Sequence, residues 1–182
     1  MEILTYSRIK ARKNCPMAEH IRYELGLTPK TKRDALALGT SVHRGLETGS
    51  IDDALATFDG IFPSAQEEQD KLEVTKATVS AMLGGYFKRF GVWPADSRKE
   101  LQFSIPIINP ETGSKSRSFE LQGKIDALVQ IEGQYWLGEY KTASQINEDY
   151  FNRIELGEQV STYMYAAQKA FSIQIAGIIY RV

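Results

Sequence analysis

The chain has 182 residues, of which 42% are hydrophobic and 25% are charged, and its formal net charge is −1. This length supports one domain with a sizeable core and is short for two. No stretch approaches the roughly 20 apolar residues that cross a bilayer, and the N-terminus lacks the apolar core of a signal peptide. We therefore expect a cytoplasmic protein without a membrane partner. The single cysteine, Cys15, excludes an intramolecular disulfide and a four-thiolate zinc or iron–sulfur site made by this chain alone.

The first third of the chain reads as helical and locally basic. Residues 5–25 predict a helix that Thr5 or Ser7 caps and that Pro16 interrupts, and residues 28–33 predict a polar loop. Basic side chains gather in these two segments: Arg8, Lys10, Arg12, Lys13, Lys30, Lys32 and Arg33. A patch that binds phosphate groups and an ordinary solvated helix face explain this cluster about equally well.

Three further helices are predicted before the pattern changes to strands. Apolar spacing and closing glycines place them at residues 34–47, 51–58 and 67–90. The last of these carries a broad apolar stripe that includes Leu72, Val74, Val79, Met82, Leu83, Phe87 and Phe90.

The second half of the chain predicts a sheet. Strands are expected at residues 100–108, 119–129 and 134–140, with a turn-rich connector at 109–118 and a hairpin turn at Glu132–Gly133. A short helical or loop segment at 146–151, a helix at 154–171 and a strand at 174–182 follow. The order indicates a single domain over residues 1–182, with a mainly helical part at 1–95 and a sheet-containing α/β or α+β core at 96–182.

The predicted hairpin carries charges where a packed strand would not be expected to place them. Glu139 and Lys141 are two residues apart and so leave the same face of their strand, and Asp126 lies on the partner strand. Two carboxylates at cross-strand distance repel each other unless a positive charge lies between them, and Mg²⁺ favours such oxygen ligands. From the hairpin alone, a solvent-exposed face with a weak Glu139–Lys141 ion pair is the more common explanation.

Three other features are compatible with a site at the hairpin. His43 and Glu47 are four apart in GTSVHRGLE, so they share one helical face, although a single helical histidine is more often structural. Gln159 and Tyr163 are also four apart in EQVSTYMYAA and are candidates to contact a phosphate or Lys141, with a plain surface pair as the alternative. Glu100, at the start of the first predicted strand, is a candidate either to support a metal ligand or to bind a second metal ion.

Four segments in order carry a resemblance to a known family. They are LTYSRIKARKNCP, GTSVHRGLE, GKIDAL followed by GEYKT, and QVSTYMYA. Together they resemble the motifs of the PD-(D/E)XK nuclease superfamily, and within it the RecB-like exonuclease branch, which includes CRISPR adaptation nucleases and is similar to phage exonucleases. The resemblance spans nearly the whole chain. It implies a mixed central β-sheet flanked by helices, a restriction-endonuclease-like core with an N-terminal helical region.

The resemblance also assigns roles to individual residues. It implies Mg²⁺ or Mn²⁺ bound by His43, Asp126, Glu139 and the carbonyl of Tyr140, with Lys141 as the catalytic lysine. Gln159 and Tyr163 would line the catalytic site with these residues and support phosphate positioning. The basic N-terminal residues would track the backbone of single- or double-stranded DNA. Many relatives hold an iron–sulfur cluster, but no C-terminal cysteines follow Cys15, so we expect no cluster in this chain.

The implied function is metal-dependent DNA hydrolysis, most simply by an exonuclease in recombination, repair or mobile-element processing. The alternative is a non-catalytic DNA-binding or interaction subunit of a larger helicase–nuclease complex. Thermal stabilisation of the protein by Mn²⁺ would favour the nuclease, and a lack of such stabilisation would favour the non-catalytic subunit. Since the chain has no GxxxxGK[ST] phosphate loop, any ATP-driven step would come from a partner such as a helicase or recombination protein. The sequence makes no prediction of oligomeric state.

Overall fold

The computed structural model describes residues 1–29, 34–143, 145–155 and 157–182. The predicted basic residues Lys30, Lys32 and Arg33 lie outside the described residues, as do residues 30–33 of the predicted loop at 28–33. The helices are α1 Tyr6–Asn14, α2 Pro16–Glu19 with a π-helical turn His20–Glu24, α3 Asp34–Thr48, α4 Ile51–Leu55 with a 3₁₀ turn Ala56–Phe58, α5 Gln66–Phe90, α6 Glu148–Glu155 and α7 Glu158–Phe171. The strands are β1 Glu2–Leu4, β2 Arg98–Ile108, β3 Lys115–Ile131, β4 Gln134–Tyr140 and β5 Ile175–Arg181.

The chain forms two compact units. The sheet unit contains Met1–Lys30, Asp96–Glu139 and Ala143–Arg181, and the helical unit contains Thr31–Ala95, Tyr140–Thr142 and Val182. The chain therefore passes from the sheet unit to the helical unit between Glu139 and Tyr140. Among the described residues, no helix is both long and apolar enough to span a membrane.

The sheet unit is built around the long strand β3. On one edge β3 pairs antiparallel with β2. On the other edge it pairs parallel with β1 at residues 119–121 and antiparallel with β4 at residues 127–131, and β5 lies beyond β4. Helix α7 packs on this sheet around an apolar core of Phe103, Ile105, Leu121, Ile125, Leu128, Leu137, Ala166, Ala167 and Ile175.

Local backbone signals set several boundaries as the sequence predicted. The Thr5 hydroxyl accepts a hydrogen bond from the Arg8 amide at 3.2 Å and caps α1, and Ser50 caps α4 in the same way. Glu132 and Gly133 both have positive φ, which matches the twist of a two-residue hairpin turn between β3 and β4. Gly91, also at positive φ, ends α5.

Four features differ from what the sequence pattern indicated. Strand β1 was not predicted, because three residues are too few for a periodic pattern. Strand β3 begins at Lys115, which pairs with Ile108, so part of the predicted connector belongs to the sheet. The segment predicted as one helix at 154–171 contains parts of two helices. Ile154 lies in the last turn of α6, and Gly157 precedes α7. The stripe on α5 is only partly buried: Val79 and Leu83 are inaccessible, whereas Val74 is 66% exposed.

The helical unit packs α3 closely against α4 and α5. A Cβ atom on Gly45 of α3 would lie 2.4 Å from Cδ1 of Leu83 on α5 and 3.0 Å from Cβ of Ala54 on α4. The buried Ser41 hydroxyl of α3 donates to the Ala54 carbonyl at 2.7 Å. Small residues on α3 thus allow close approach of the neighbouring helices.

Candidate active site

Asp126 and Glu139 lie at the same level of neighbouring strands. The β3–β4 ladder runs from Ile131 paired with Gln134 to Ala127 paired with Gly138. The next residue on each strand is Asp126 and Glu139, and continuing the register by one residue sets them opposite each other on one face of the sheet. Asp126 also lies where the pairing of β3 changes from β1 to β4. This junction brings two carboxylates to one place in the sheet unit.

The carboxylate of Glu139 is buried and held by an amide. Its residue is 5% exposed, and Gln159 Nε2 donates to Glu139 Oε1 at 2.9 Å. Gln159 lies in the first turn of α7, so the hydrogen bond joins the helix to the end of β4. A buried charged group needs such partners, because desolvation otherwise costs several kcal/mol. Gln159, which its motif predicted as a site residue, thus holds the carboxylate of Glu139.

Burial and the negative charges of Glu139 and Asp126 raise the pKa of two tyrosines, Tyr163 and Tyr180. Burial raises the pKa of Tyr163 above its ordinary value, and the negative charges of Glu139 and Asp126 raise it further, although a hydrogen bond with Gln159 acts against this. Burial, followed by the charge of Glu139, raises the pKa of Tyr180 to about 12. Both phenols therefore remain protonated at neutral pH and able to donate a hydrogen bond.

Aromatic neighbours hold Tyr163 on the core side of the sheet unit. Its ring lies edge-on to Phe103 of β2, with centroids 5.8 Å apart, and edge-on to Tyr6 of α1 at 6.4 Å. Contacts of this kind add to area burial and fix the ring orientation. Tyr6 is thus half-buried against Tyr163.

In the helical unit, His43 lies against Tyr140. The two rings are edge-on with centroids 6.1 Å apart, and Tyr140 also contacts Tyr86 at 6.0 Å and Trp93 at 6.2 Å. Tyr140 is buried. His43 is half-buried on α3 and therefore packs beside the residue that directly follows Glu139 in the chain.

The residues after β4 continue beside α3 within the helical unit. A Cβ atom on Gly39 would lie 3.5 Å from the Thr142 hydroxyl oxygen, which is ordinary contact, so α3 runs alongside the segment that follows β4. Lys141, the residue before Thr142, is half-buried. Its position is therefore set by a short stretch that packs on α3.

The oxygen ligands present suit a hard divalent cation better than a soft one. Asp126 and Glu139 offer carboxylate oxygens in the sheet unit, which is the donor type that Mg²⁺ and Mn²⁺ prefer. The charge of both carboxylates acts on the same two tyrosines, as expected of a shared negative field. In the part of the chain that the structure describes, no three His, Cys, Asp or Glu side chains are grouped tightly enough to hold a metal by themselves.

The predicted basic residues of α1 have very different surroundings. The Arg8 side chain is 12% exposed and forms ion pairs with Glu2 at 2.5 Å, Glu19 at 2.6 Å and Glu24 at 3.0 Å. The hydrogen bond from Arg8 is the main cause that lowers the pKa of Glu19. The remaining basic residues of α1 are exposed: Lys10, Arg12, which pairs with Glu19 at 3.2 Å, and Lys13, which pairs with Glu158 at 2.6 Å.

Sequence reasoning did not identify two features of this region. Tyr180 belongs to no motif, and only the sheet order, which sets β5 beside β4, brings it near the carboxylates. The buried Glu19 lies between exposed residues, Ala18 and His20, and no pattern in the sequence predicts its 1% exposure. An acidic residue spaced by 11 from Arg8 in a basic segment was the one available signal.

Comparisons with known proteins agree with this architecture. A protein of Eubacterium rectale described as a candidate exonuclease has a solved structure that is 15% identical, with a TM-score of 0.58, and covers 98% of this chain. The present chain spans 66% of that protein's length. The structure of SSO0001 is 14% identical over 96% of this chain and 71% of that one, and its TM-score of 0.30 is too low to indicate a shared fold. A search of proteins of curated function finds no match.

The likeness in structure establishes a mixed α/β fold, with a curled mixed sheet and flanking helices as in restriction-endonuclease-like proteins. The predicted fold class is thereby confirmed. The model of one family, described as PD-(D/E)XK nuclease superfamily, matches residues 3–181. Proteins of this superfamily are nucleases that use divalent metal ions. On that match, which covers nearly the whole chain, the protein belongs to the PD-(D/E)XK nuclease superfamily.

Proposed function

We propose that the protein is a divalent-metal-dependent deoxyribonuclease of the RecB-like branch that hydrolyses phosphodiester bonds, with exonuclease action as its mode. The observation that carries the proposal is the buried carboxylate of Glu139, held by Gln159 at 2.9 Å one step beyond the ladder that leads to Asp126. A buried acid fixed by a helix amide is costly for a fold to maintain without a use for its charge.

Asp126 and Glu139 are the proposed carboxylate ligands, with His43 and the carbonyl of Tyr140 completing the set. The assignment of His43 rests on the motif GTSVHRGLE and that of Tyr140 on the motif GEYKT. Within the helical unit the rings of these two residues lie 6.1 Å apart. Mg²⁺ or Mn²⁺ is the proposed cation, because the donors are hard oxygens and one imidazole. When bound, it would polarise the scissile phosphate and offset the charge that develops on the leaving oxygen.

The chain's own groups would perform the remaining tasks. Lys141 is proposed to orient or deprotonate the attacking water, and its ammonium would stabilise negative charge on a phosphoryl oxygen. Gln159 fixes the orientation of the Glu139 carboxylate. Tyr163, whose raised pKa keeps the phenol neutral, would donate a hydrogen bond to a non-bridging phosphate oxygen. These are positioning and electrostatic roles, which suit phosphoryl transfer.

DNA is the proposed substrate, and its backbone would be followed by exposed cations of α1. Lys10 and Arg12 are the best placed by exposure, whereas Arg8 is largely engaged by carboxylates. Such contacts give sequence-independent, salt-dependent binding. Roles in recombination, repair or mobile-element processing, and a helicase or recombination protein as partner, stay predictions of the sequence motifs.

The test is cleavage of end-labelled single- and double-stranded DNA with Mg²⁺, Mn²⁺ or EDTA. Asp126→Asn and Lys141→Ala are each expected to lower the cleavage rate by about 100-fold or more, since each removes a group that acts on the reacting phosphate. Lys115→Ala, which removes an exposed lysine at the start of β3, is the matched control and should cleave normally.

Shortening of labelled ends to mononucleotides or short oligonucleotides would support exonuclease action, whereas internal cuts in circular DNA would contradict it. If the folded protein binds DNA without cutting it under any of these metals, the catalytic proposal fails. The protein would then be a non-catalytic DNA-binding subunit.

A further inference from the structure

Glu100 has a backbone conformation that its position in a strand does not explain. Its φ is +52°, and the other described non-glycine residues with positive φ are Glu132, in the hairpin turn, and Ser172, which ends α7. A turn and a helix end commonly require this conformation, but the interior of a strand does not. Residues held in the left-handed region without glycine persist only where the surroundings determine them, and they gather at functional sites.

The sheet register sets Glu100 at the level of the proposed catalytic carboxylates. Its neighbours Lys99 and Leu101 pair with Ala127 and Ile125 on β3. The residue between those two partners is Asp126. Glu100, Asp126 and Glu139 therefore mark the same level on three adjacent strands, β2, β3 and β4.

The Glu100 carboxylate is committed to a lysine of β3. Its oxygen forms an ion pair with Nζ of Lys124, and the Glu100 side chain is only 16% exposed, against 54% for Lys124. Lys124 itself pairs with Gln102, so the ion pair runs diagonally across the two strands. Lys124 and Asp126 are two residues apart on β3, so both side chains leave the same face.

We propose that Glu100 is a positioning residue that holds the Lys124 ammonium and so limits its competition with a cation for Asp126. The inference rests on the proposed function, because it concerns the availability of a proposed metal ligand. Because Lys124 lies two residues from Asp126 on the same face of β3, its ammonium is a cation that can neutralise Asp126. The carboxylate of Glu100 gives that ammonium another anion with which to pair.

An ordinary cross-strand ion pair is the competing explanation. Such a pair contributes little to stability, and its loss would have no specific effect on a cation at Asp126. The two explanations differ in what happens when Lys124 is also removed. If Glu100 acts through Lys124, then deleting the lysine makes the glutamate dispensable for cation binding.

The experiment is a calorimetric titration of the DNA-free protein with Mn²⁺, for wild type, Glu100→Gln, Lys124→Ala and the double variant. Glu100→Gln should weaken Mn²⁺ binding by about fivefold or more, within the range of couplings between contacting residues. The double variant should bind Mn²⁺ as tightly as Lys124→Ala alone. Glu100→Asn serves as a second variant, because asparagine tolerates positive φ without the charge.

Glu120→Gln is the matched control, because it removes a carboxylate on the same side of β3 that bonds Gln122 at 3.3 Å instead of Lys124. It should leave Mn²⁺ affinity unchanged. Equal Mn²⁺ affinity in wild type and in both Glu100 variants would overturn the inference, as would a loss that persists in the double variant. Failure of wild type to bind Mn²⁺ or to cleave DNA would instead defeat the proposed function on which the inference rests.

Discussion

Gln159 Nε2 donates a hydrogen bond to the buried carboxylate of Glu139 at 2.9 Å, and this contact joins the first turn of α7 to the end of β4. The bond satisfies one oxygen of an acid that has lost nearly all contact with solvent. It also fixes the direction in which the second oxygen is presented. Stability and catalysis should therefore depend on the same amide.

Replacing Gln159 by leucine should test this dependence. The variant removes one donor from a buried carboxylate, so the free energy of unfolding should fall by about 1–3 kcal/mol. Cleavage should fall by about 10-fold or more, as for other residues that orient a metal ligand. Urea unfolding and DNA cleavage measure the two effects. Gln168→Leu, an exposed position on α7, is the control, and equal stability of both variants would contradict the prediction.

The ion pairs around Glu19 predict a dependence of stability on acid. Arg8 holds the pKa of Glu19 below its ordinary value, so the unfolded chain takes up a proton at higher pH than the folded protein does. The stabilisation is thus present above the ordinary pKa of about 4.5 and is lost as pH falls below it. Urea unfolding at several pH values between about 6 and 3 should show a shallower loss for Glu19→Gln than for wild type.

The exposed Glu24 provides the comparison for Glu19. It also pairs with Arg8, at 3.0 Å, but its side chain is 47% exposed. Glu24→Gln should therefore leave the acid profile close to that of wild type. Identical profiles for wild type and Glu19→Gln would show that the buried carboxylate does not carry the effect.

Tyr180 predicts a second dependence, at alkaline pH. Because burial and the charge of Glu139 raise its pKa to about 12, the unfolded chain loses this proton near the ordinary tyrosine value while the folded protein keeps it. Stability should thus be full below about pH 10 and should decline between about pH 10 and 12. Tyr180→Phe should reduce the slope in that interval. Tyr165→Phe, on an exposed part of α7, should not.

Two glycines predict opposite effects of the same substitution. Gly45→Ala would force a Cβ atom to within 2.4 Å of Leu83 Cδ1, so overpacking should lower the free energy of unfolding by about 1–3 kcal/mol. Gly84→Ala, in α5 with no atom within 4 Å of the new Cβ, should raise it by about 0.5–1 kcal/mol through helix propensity. Urea unfolding of both variants provides the measurement. A stabilised Gly45→Ala would mean that α3 and α5 can separate without loss.

Salt dependence should separate cations that contact phosphate from those that hold the fold. Lys10→Ala and Arg12→Ala should each reduce the magnitude of the negative slope of log affinity against log salt concentration by about 0.9 for duplex DNA. Lys71→Ala, which removes a lysine paired with Glu67 on α5, is the control and should leave the slope unchanged. Fluorescence anisotropy with EDTA present measures binding without cleavage. An unchanged slope in both α1 variants would place the DNA contact elsewhere on the protein.

Several parts of this protein follow from the sequence because their causes are local. The Thr5 and Ser50 caps and the Glu132–Gly133 turn are decided by side chains within a few residues of the backbone groups that they satisfy. The order of four motifs also identified the superfamily, since it records chemistry more than packing. Asp126 and Glu139 were likewise recognisable as carboxylates out of place in a hairpin.

Other parts were decided by contacts between residues distant in sequence. Strand β1 exists because β3 accepts three residues in parallel pairing, and Tyr180 approaches the carboxylates because β5 lies beside β4. The same holds for Arg8. The sequence predicted that its charge contacts phosphate, and in the folded chain it forms ion pairs with Glu2, Glu19 and Glu24. A sequence pattern gives the charge of a side chain, whereas only the folded chain determines which opposite charge reaches it first, because that depends on distance.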